Sequence, residues 1–215
     1  VNTLRAGSLP ARLNPNPVAR NSFGPGLGEV NRTRGIRAAY IGLVAVAVFM
    51  LIYYLVAGFI ADVALMLNII LVLGAMSLLS AVFTLPGIAG VILTIGIAVD
   101  ANVLIFERLR EEQEKGQSVR MALQNAYQRA FSAIFDANIT TLITCLILGW
   151  VGTEEVRGFA ITLGLGVAFS LFTALAVTRW IFQLLLGAGL LKKPVFMLHI
   201  IGTPTVNWMA KRKWF

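Results

Sequence analysis

The chain is poor in charged residues and in the side chains that most often catalyse reactions or cross-link proteins. Only 13% of its 215 residues are charged, and it contains one histidine and one cysteine. Soluble domains carry about 25% charged residues, so this composition argues against a soluble domain. Cys145 cannot form an internal disulfide, and its place in an apolar run indicates a small buried hydrophobe.

The sequence also lacks the motifs of common enzyme and metal sites. It contains no Gly-x-Ser-x-Gly elbow, no zinc-ligand spacing and no phosphate-binding loop. The histidine, His199, lies in the C-terminal tail, and the glutamates around residue 110 alternate with arginines, as on a solvated helix face. We therefore expect no enzymatic activity, no cofactor and no metal site.

Apolar sequence is what the chain has in abundance. Hydrophobic residues make up 58% of it, and the mean hydropathy is +0.80. A helix needs about 20 apolar residues to cross the hydrocarbon core of a bilayer. Five runs meet this requirement and predict an all-α integral membrane protein with five transmembrane helices, at residues 38–60, 61–81, 86–107, 131–151 and 158–187.

The remaining segments are polar. Residues 108–130 predict an amphipathic helix on the membrane surface, because Val119, Leu123 and Tyr127 recur at helical spacing among charged residues. Residues 188–215 form a basic tail. The chain starts without Met and without an apolar targeting segment, so we expect it to be a section of a longer polypeptide.

The net charge of +8 is carried by segments outside the apolar runs. Lysine and arginine are enriched in the cytoplasmic loops of membrane proteins, which predicts an extracytoplasmic N-terminus and a cytoplasmic C-terminus. The arginines before residue 38 count against this orientation, although segments that follow a long translocated domain can violate the rule. Because topology accounts for the basic residues, we expect no nucleic-acid partner.

An aspartate, Asp100, interrupts the third apolar run within LTIGIAVDANVLIFERLREE. An aspartate near the centre of a spanning helix costs about 2.5–3.5 kcal/mol on insertion scales, so such a residue is by default a candidate functional site. Asp100 shares one helical stripe with Gly96, a packing position, and with Glu107, which together with Arg108 marks the cytoplasmic edge. A low-dielectric site favours the protonated carboxyl, as a proton-carrying residue requires.

The fourth run contains a second aspartate, Asp136, in a repeat of the triplet Asp-Ala-Asn. Its helix runs opposite to the third, so we expect both aspartates at similar depth in the cytoplasmic half of the membrane. Thr140 shares the face of Asp136. The fifth run adds small and hydroxyl residues, which let helices approach closely and hydrogen-bond, at Gly158, Thr162, Gly166, Ser170 and Thr173.

Two interpretations of the aspartates are open on these observations. Either residue could carry protons, or it could be a permanently protonated group that ties helices together by a hydrogen bond. The apolar runs hold no lysine or arginine near their centres, and Arg179 lies near the end of its helix, where it can snorkel. A cation that pairs with Asp100 would therefore belong to another chain or another segment.

Three long stretches resemble the SecD family of protein-export membrane proteins. They are TLPGIAGVILTIGIAVDANVLIFERLREE, RAFSAIFDANITTLITCLIL and GTEEVRGFAITLGLGVAFSLFTALAVTR, and the opening LRAGSLPARL is similar too. The resemblance covers residues 4–187. It implies a half-bundle of the resistance-nodulation-division superfamily in the bacterial inner membrane. Such a protein works with SecF and the SecYEG translocon, and uses the proton-motive force to move unfolded preproteins across.

The resemblance also implies roles for particular residues and segments. Asp100 matches the proton-pathway aspartate of the family's Val-Asp-Ala-Asn motif, and Asp136 falls in the same region. The hydroxyls of Thr162, Ser170 and Thr173 match the family's sixth helix loosely. Residues 1–37 correspond to the end of the extracytoplasmic domain and a linker.

The resemblance leaves two points open. The tail PTVNWMAKRKWF is similar to the stretch before the first helix of SecF, so residues 188–215 are either a basic tail or a link to a SecF-like half in a fused chain. Two rival functions also stand: a proton-coupled exporter of lipids or small molecules from the same superfamily, and a translocon scaffold that transports nothing.

Overall fold

The computed structural model describes residues 25–79, 81, 84–190 and 196–198. The helices are α1 (Pro25–Tyr54), α2 (Val56–Leu78), α3 (Leu85–Glu114), α4 (Val119–Val151), α5 (Glu154–Phe172) and α6 (Thr178–Gly187). A π-helical segment, Thr173–Val177, joins α5 to α6 in one continuous rod. Counting that rod once, the described residues contain five helices long and apolar enough to span a membrane. The predicted all-α membrane fold with five spanning helices is confirmed.

Several helices extend beyond the apolar runs that predicted them. α1 begins at Pro25 rather than near residue 38, and proline is well tolerated in the first turn of a helix. α3 continues to Glu114 and α4 begins at Val119, so the surface segment 108–130 consists of the two helix ends and a short turn at Gly116. Gly116 has φ of 78°, a conformation that glycine adopts at no steric cost. Hydropathy marks only the part of a helix that lies in lipid.

The connection between α1 and α2 also differs from the sequence prediction. In the sequence, Gly58 and Asp62 stand at the junction of the first two apolar runs and predict a turn and a helix cap there. The chain turns instead at Leu55, which has φ of 49°. Gly58 lies in the first turn of α2, and a Cβ built on it would overlap the backbone carbonyl of Met50. The glycine is therefore needed because α1 and α2 approach each other closely beside the turn.

The core of the bundle is the contact of α3 with α5, against which α2 and α4 also pack. In the most apolar stretches of α2, α3 and the α5–α6 rod, 44% of the residues are buried, compared with 6% in α1 and 17% in α4. α1 and α4 therefore present most of their apolar surface to the surroundings.

The ends of α3, α4 and α6 nearest Gly116 and Gly187 carry many charged side chains, and together with the adjoining end of α1 at Tyr54 we call this the charged end. Here Glu112 is buried, with 1% of its side chain exposed, and it accepts bonds from Lys115 and from Arg129 of α4. This cluster fastens the end of α3 to the start of α4.

A short piece of the C-terminal segment packs on the charged end. The backbone N–H of Leu198 donates to the carbonyl of Tyr53 at 3.0 Å, and Arg110 donates to the carbonyl of Leu198 at 3.1 Å. Residues 199–215, which include the predicted link to a SecF-like half, lie outside the described residues, as do residues 1–24.

Candidate functional site

Asp100 and Asp136 both lie on the outer surface of the bundle. Each side chain is exposed, and neither carboxylate has a hydrogen bond or ion pair with any residue in the described ranges. Thr140 is also exposed, and its hydroxyl donates to the backbone carbonyl of Ala137 at 2.7 Å. Gly96 faces open space, with no atom near the position of a Cβ. We call Gly96, Asp100, Asp136 and Thr140 the aspartate face.

The repeated Asp-Ala-Asn triplet explains this orientation. Residues two apart differ by about 200° around a helix, so the aspartate and the asparagine of each triplet face opposite sides. Asn102 Nδ2 donates to the carbonyl of Ala98 at 3.2 Å, and Asn138 Nδ2 donates to that of Ile134 at 2.7 Å. Both asparagines are buried. Each triplet therefore fixes an amide inside the bundle and presents a carboxylate outside it.

The depth of Asp100 follows from how α3 packs on α5. The two helices run parallel, because Gly90 meets Thr162 and Gly166 meets Thr94 with the same offset along both chains. If the same offset continues along both helices, Asp100 lies beside the end of α5, where the π-helical segment begins. A π-helical turn inside an α-helix often marks a functional site.

The depth of Asp136 follows from how α4 packs on α3. Asn125 Nδ2 lies 3.5 Å from Glu112 Oε2, and the two helices are antiparallel. Counting equally from that pair along both helices places Asp136 opposite Ala101. Because each residue adds about 1.5 Å along a helix axis, Asp136 and Asp100 lie at nearly one level.

The hydroxyls of α5 and of the segment after it lie elsewhere. Thr162, Ser170 and Thr173 are buried, with at most 2% of their surface exposed. Each donates to a carbonyl of its own helix, as Ser170 does to Val167 at 2.9 Å. Within the described chain they form part of the helix interface and do not contact the aspartate face.

Gly158 and Gly166 lie where α5 crosses α3. Gly166 meets a residue of α3, and Gly158 meets the residue that precedes α3. A Cβ built on Gly158 would collide with the side chain of Thr84, and one on Gly166 would collide with that of Thr94. Both glycines are thus close-approach positions.

Glu107 and Arg108 have separate partners at the charged end. Glu107 accepts a hydrogen bond from Tyr54 at 2.8 Å and pairs with Arg110 at 3.0 Å, so it links α3 to α1. Arg108 pairs with Glu111 at 2.8 Å on an exposed surface. An exposed pair of this kind contributes little to stability. Across the described residues, no group of three acidic, cysteine or histidine side chains could hold a metal ion.

A third carboxylate, Asp62, is predicted from the sequence only as a helix cap and not as a site residue. It is the seventh residue of α2, and both carboxylate oxygens are buried without a hydrogen-bond partner in the described part of the chain. Asn68 Nδ2 donates to the carbonyl of Gly166 at 3.2 Å, and Thr94 packs on the same glycine. Asp62 lies six residues from Asn68, and Asp100 lies six residues from Thr94, both in the direction of the charged end. The two aspartates therefore lie at about the same depth along the bundle. A break in an otherwise apolar run was the available signal.

The buried carboxylate of Asp62, unpaired among the described residues, leads to a prediction about the stability of the protein. A polar group buried without a hydrogen bond costs roughly 1–3 kcal/mol in protein mutational data, and leucine has a similar branched shape. We expect Asp62→Leu in the full-length protein to raise the free energy of unfolding by about 1–2 kcal/mol. Thermal unfolding in detergent measures this, with Asn68→Leu, which removes a satisfied amide, as the comparison. A loss of stability in Asp62→Leu would show that a residue outside the described ranges pairs with Asp62.

Comparisons with known proteins agree with the helical arrangement. Residues 12–186 match the family described as protein export membrane protein SecD/SecF, C-terminal. The protein translocase subunit SecD of Rhodothermus marinus is 52% identical over 185 residues, which cover 86% of this chain and 29% of that protein. The SecD subunit of Escherichia coli is 50% identical over 191 residues, covering 88% of this chain and 31% of that protein.

A solved structure extends the match to three dimensions. SecDF, described as a translocon-associated membrane protein, from Thermus thermophilus, superposes with a TM-score of 0.80 at 36% identity. The match covers 90% of this chain and 26% of that one. The chain thus spans about a third, or less, of the length of these relatives.

Proposed function

The chain belongs to the SecD/SecF family of protein-export membrane proteins, and from this premise we propose that it forms the membrane part of a subunit that assists the Sec translocon. It is a multi-pass membrane protein of helices. The subunit would promote export of unfolded preproteins across the bacterial inner membrane and draw on the proton-motive force. The relatives named protein translocase subunit SecD support the export role.

The observation that carries the coupling proposal is the aspartate face. Asp100 and Asp136 lie at one level on the outside of the bundle, without partners in the described chain. An exposed carboxylate inside lipid would be expensive, so a protein surface has to cover it. A SecF-like half is the proposed cover, and it would supply a cation to pair with Asp100, which has no cationic partner among the described residues. Asp100 takes up a proton from one side and releases it to the other.

The energy of this step is sufficient to drive a conformational change. A charge that crosses 100 mV releases about 2.3 kcal/mol. Protonation of Asp100 removes a costly charge from the interface and lets the two halves shift against each other. An extracytoplasmic domain beyond this chain would convert the shift into capture and release of the emerging preprotein.

The proposed orientation places the charged end in the cytoplasm. Lys115 and the arginines near Gly116 support this, because basic residues favour the cytoplasmic side. α1 then starts outside the cytoplasm and the α5–α6 rod ends within it. The fused SecD–SecF chain stays a prediction, because the relevant tail lies outside the described residues.

Proteoliposomes that contain the full-length protein, its SecF-like partner and the translocon test the proposal. A preprotein is first driven part-way by ATP, the ATP-dependent motor is then blocked, and completion of export is followed with and without a proton gradient. We expect completion to depend on both the gradient and the full-length protein. A scaffold would support completion equally well after an uncoupler is added. An exporter of small molecules would leave completion unchanged when the protein is omitted.

A further inference from the structure

A groove opens between α4 and the α5–α6 rod at the charged end. It consists of two adjoining cavities of about 350 and 460 Å³, which share Gln124, Tyr127 and Arg179 as walls. The Tyr127 hydroxyl is hydrogen-bonded to that of Thr178, so the two helices are held together at the base of the groove. A cavity between tied helices is a built feature of the bundle.

The groove changes from cationic to apolar along its length. Arg120 lies seven residues from Tyr127 towards the charged end, a separation of roughly 10 Å along the helix. In the other direction, Phe131 and Leu175 line the groove about one turn further into the spanning region. The polarity of the groove therefore follows that of a membrane lipid, with its charge at the surface and its chains inside.

The two arginines of the groove have no acidic partner within the described residues. Other basic side chains of the charged end are paired, Arg110 with Glu107 and Arg129 with Glu112, whereas no ion pair includes Arg120 or Arg179. Arg120 is the second residue of α4, where a cation opposes the helix dipole. Neither helix stability nor a salt bridge accounts for its position.

We propose that this groove binds the phosphate headgroup of an anionic phospholipid, with Arg120 and Arg179 on the phosphate and an acyl chain along Phe131 and Leu175. Arginine suits this task because its planar guanidinium binds phosphate through two hydrogen bonds, and glutamines such as Gln124 add neutral donors. Basic pockets between spanning helices bind lipid headgroups by the same chemistry. The apolar wall favours a lipid over a free phosphate ion.

Only the leaflet assignment rests on the proposed function. If the charged end is cytoplasmic, the lipid belongs to the inner leaflet, where it would hold α4 and α6 together beside the α3–α4 turn. Lipid binding is measured without export, so failure of this inference and failure of the proposed function give different results.

Native mass spectrometry of the full-length protein in detergent tests the site, with phosphatidylglycerol as the probe and phosphatidylcholine as the neutral comparison. A basic side chain near an anionic lipid contributes about 1 kcal/mol, so we expect Arg179→Gln to weaken phosphatidylglycerol binding about fivefold and Arg120→Gln/Arg179→Gln about 25-fold. Arg179→Lys should keep most of the binding. Phosphatidylcholine, whose phosphate charge is balanced by its choline group, should bind more weakly than phosphatidylglycerol and should lose less affinity in these variants.

Arg108→Gln is the matched control, because it removes one positive charge at the same end of the bundle from a side chain that is already paired with Glu111. It should bind phosphatidylglycerol like the unchanged protein. Equal losses in Arg108→Gln and Arg179→Gln would overturn the site and indicate general charge attraction. Displacement of the lipid by millimolar inorganic phosphate would assign the arginines to a free anion. An unchanged affinity in the double variant would mean that another part of the protein fills the groove.

Discussion

Asp100→Asn is expected to abolish gradient-dependent export while the helical bundle stays intact. Asparagine has nearly the shape of aspartate but cannot take up and release a proton. Since Asp100 is exposed, the replacement removes no hydrogen bond or ion pair among the described residues. A proton that crosses 100 mV contributes about 2.3 kcal/mol, so the coupled step should slow by up to roughly 50-fold, to the rate seen with an uncoupler.

The measurement is completion of preprotein export in proteoliposomes after the ATP-driven motor is blocked. Infrared difference spectroscopy on the same samples should show a carboxyl band that is lost in Asp100→Asn. Asp62→Asn is the matched control, because it removes another carboxylate at the same level from a buried position away from the aspartate face. It should keep its response to the gradient. Full gradient-dependent export by Asp100→Asn would refute the proton-carrying role.

Gly166→Ala is expected to destabilise the packing of α3 against α5 strongly. The added Cβ would collide with the Thr94 side chain, and Asn68 donates to the carbonyl of the same glycine. Three helices therefore meet at this residue, and none can move away without breaking a contact. Overpacking of this kind costs typically 1–3 kcal/mol, which should lower the unfolding temperature of the full-length protein.

Gly164→Ala provides the comparison on the same helix. Its Cβ would lie 3.4 Å from that of Cys145, an ordinary contact, and alanine favours a helix by up to about 1 kcal/mol over glycine. That variant should be neutral or more stable. Adding Thr94→Ala to Gly166→Ala should recover part of the loss, because it removes two of the three atoms in the collision. Equal stability of Gly164→Ala and Gly166→Ala would show that α3 and α5 are not closely packed here.

The sequence predicts the spanning helices well because the cost of placing polar groups in lipid leaves a long, unmistakable apolar run. It does not predict their ends, because helical hydrogen bonding continues into water where no hydropathy signal remains. The turn at Leu55 shows the same limit. Gly58 is conspicuous in the sequence, but its role is to admit the backbone of Met50 rather than to make the turn. Such a role depends on the packing of α1 against α2.

Some features of the candidate site can likewise be predicted from the sequence, and others depend on packing. The common level of Asp100 and Asp136 follows from helix length and direction, both of which can be deduced from the sequence. A stripe of hydroxyls at intervals of about four defines a helix face but not the neighbour it meets, and Thr162 and Ser170 are buried inside the bundle. The sequence does not mark Asp62 as a site residue, because an acidic residue near a glycine between two apolar runs is also typical of a helix cap.

The buried Glu112 has a mechanical consequence. Its bond to Arg129 clamps α3 and α4 together at one end, and Lys115 adds a second cation from the end of α3. If α3 slid along α4 by one helical turn, about 5.4 Å, Glu112 would lose its bond to Arg129 and keep only Lys115 for its buried charge. We therefore expect the two helices to move as one unit. Under the proposed function, Asp100 and Asp136 would move together, and a proton bound at either position would act on the same pair of helices.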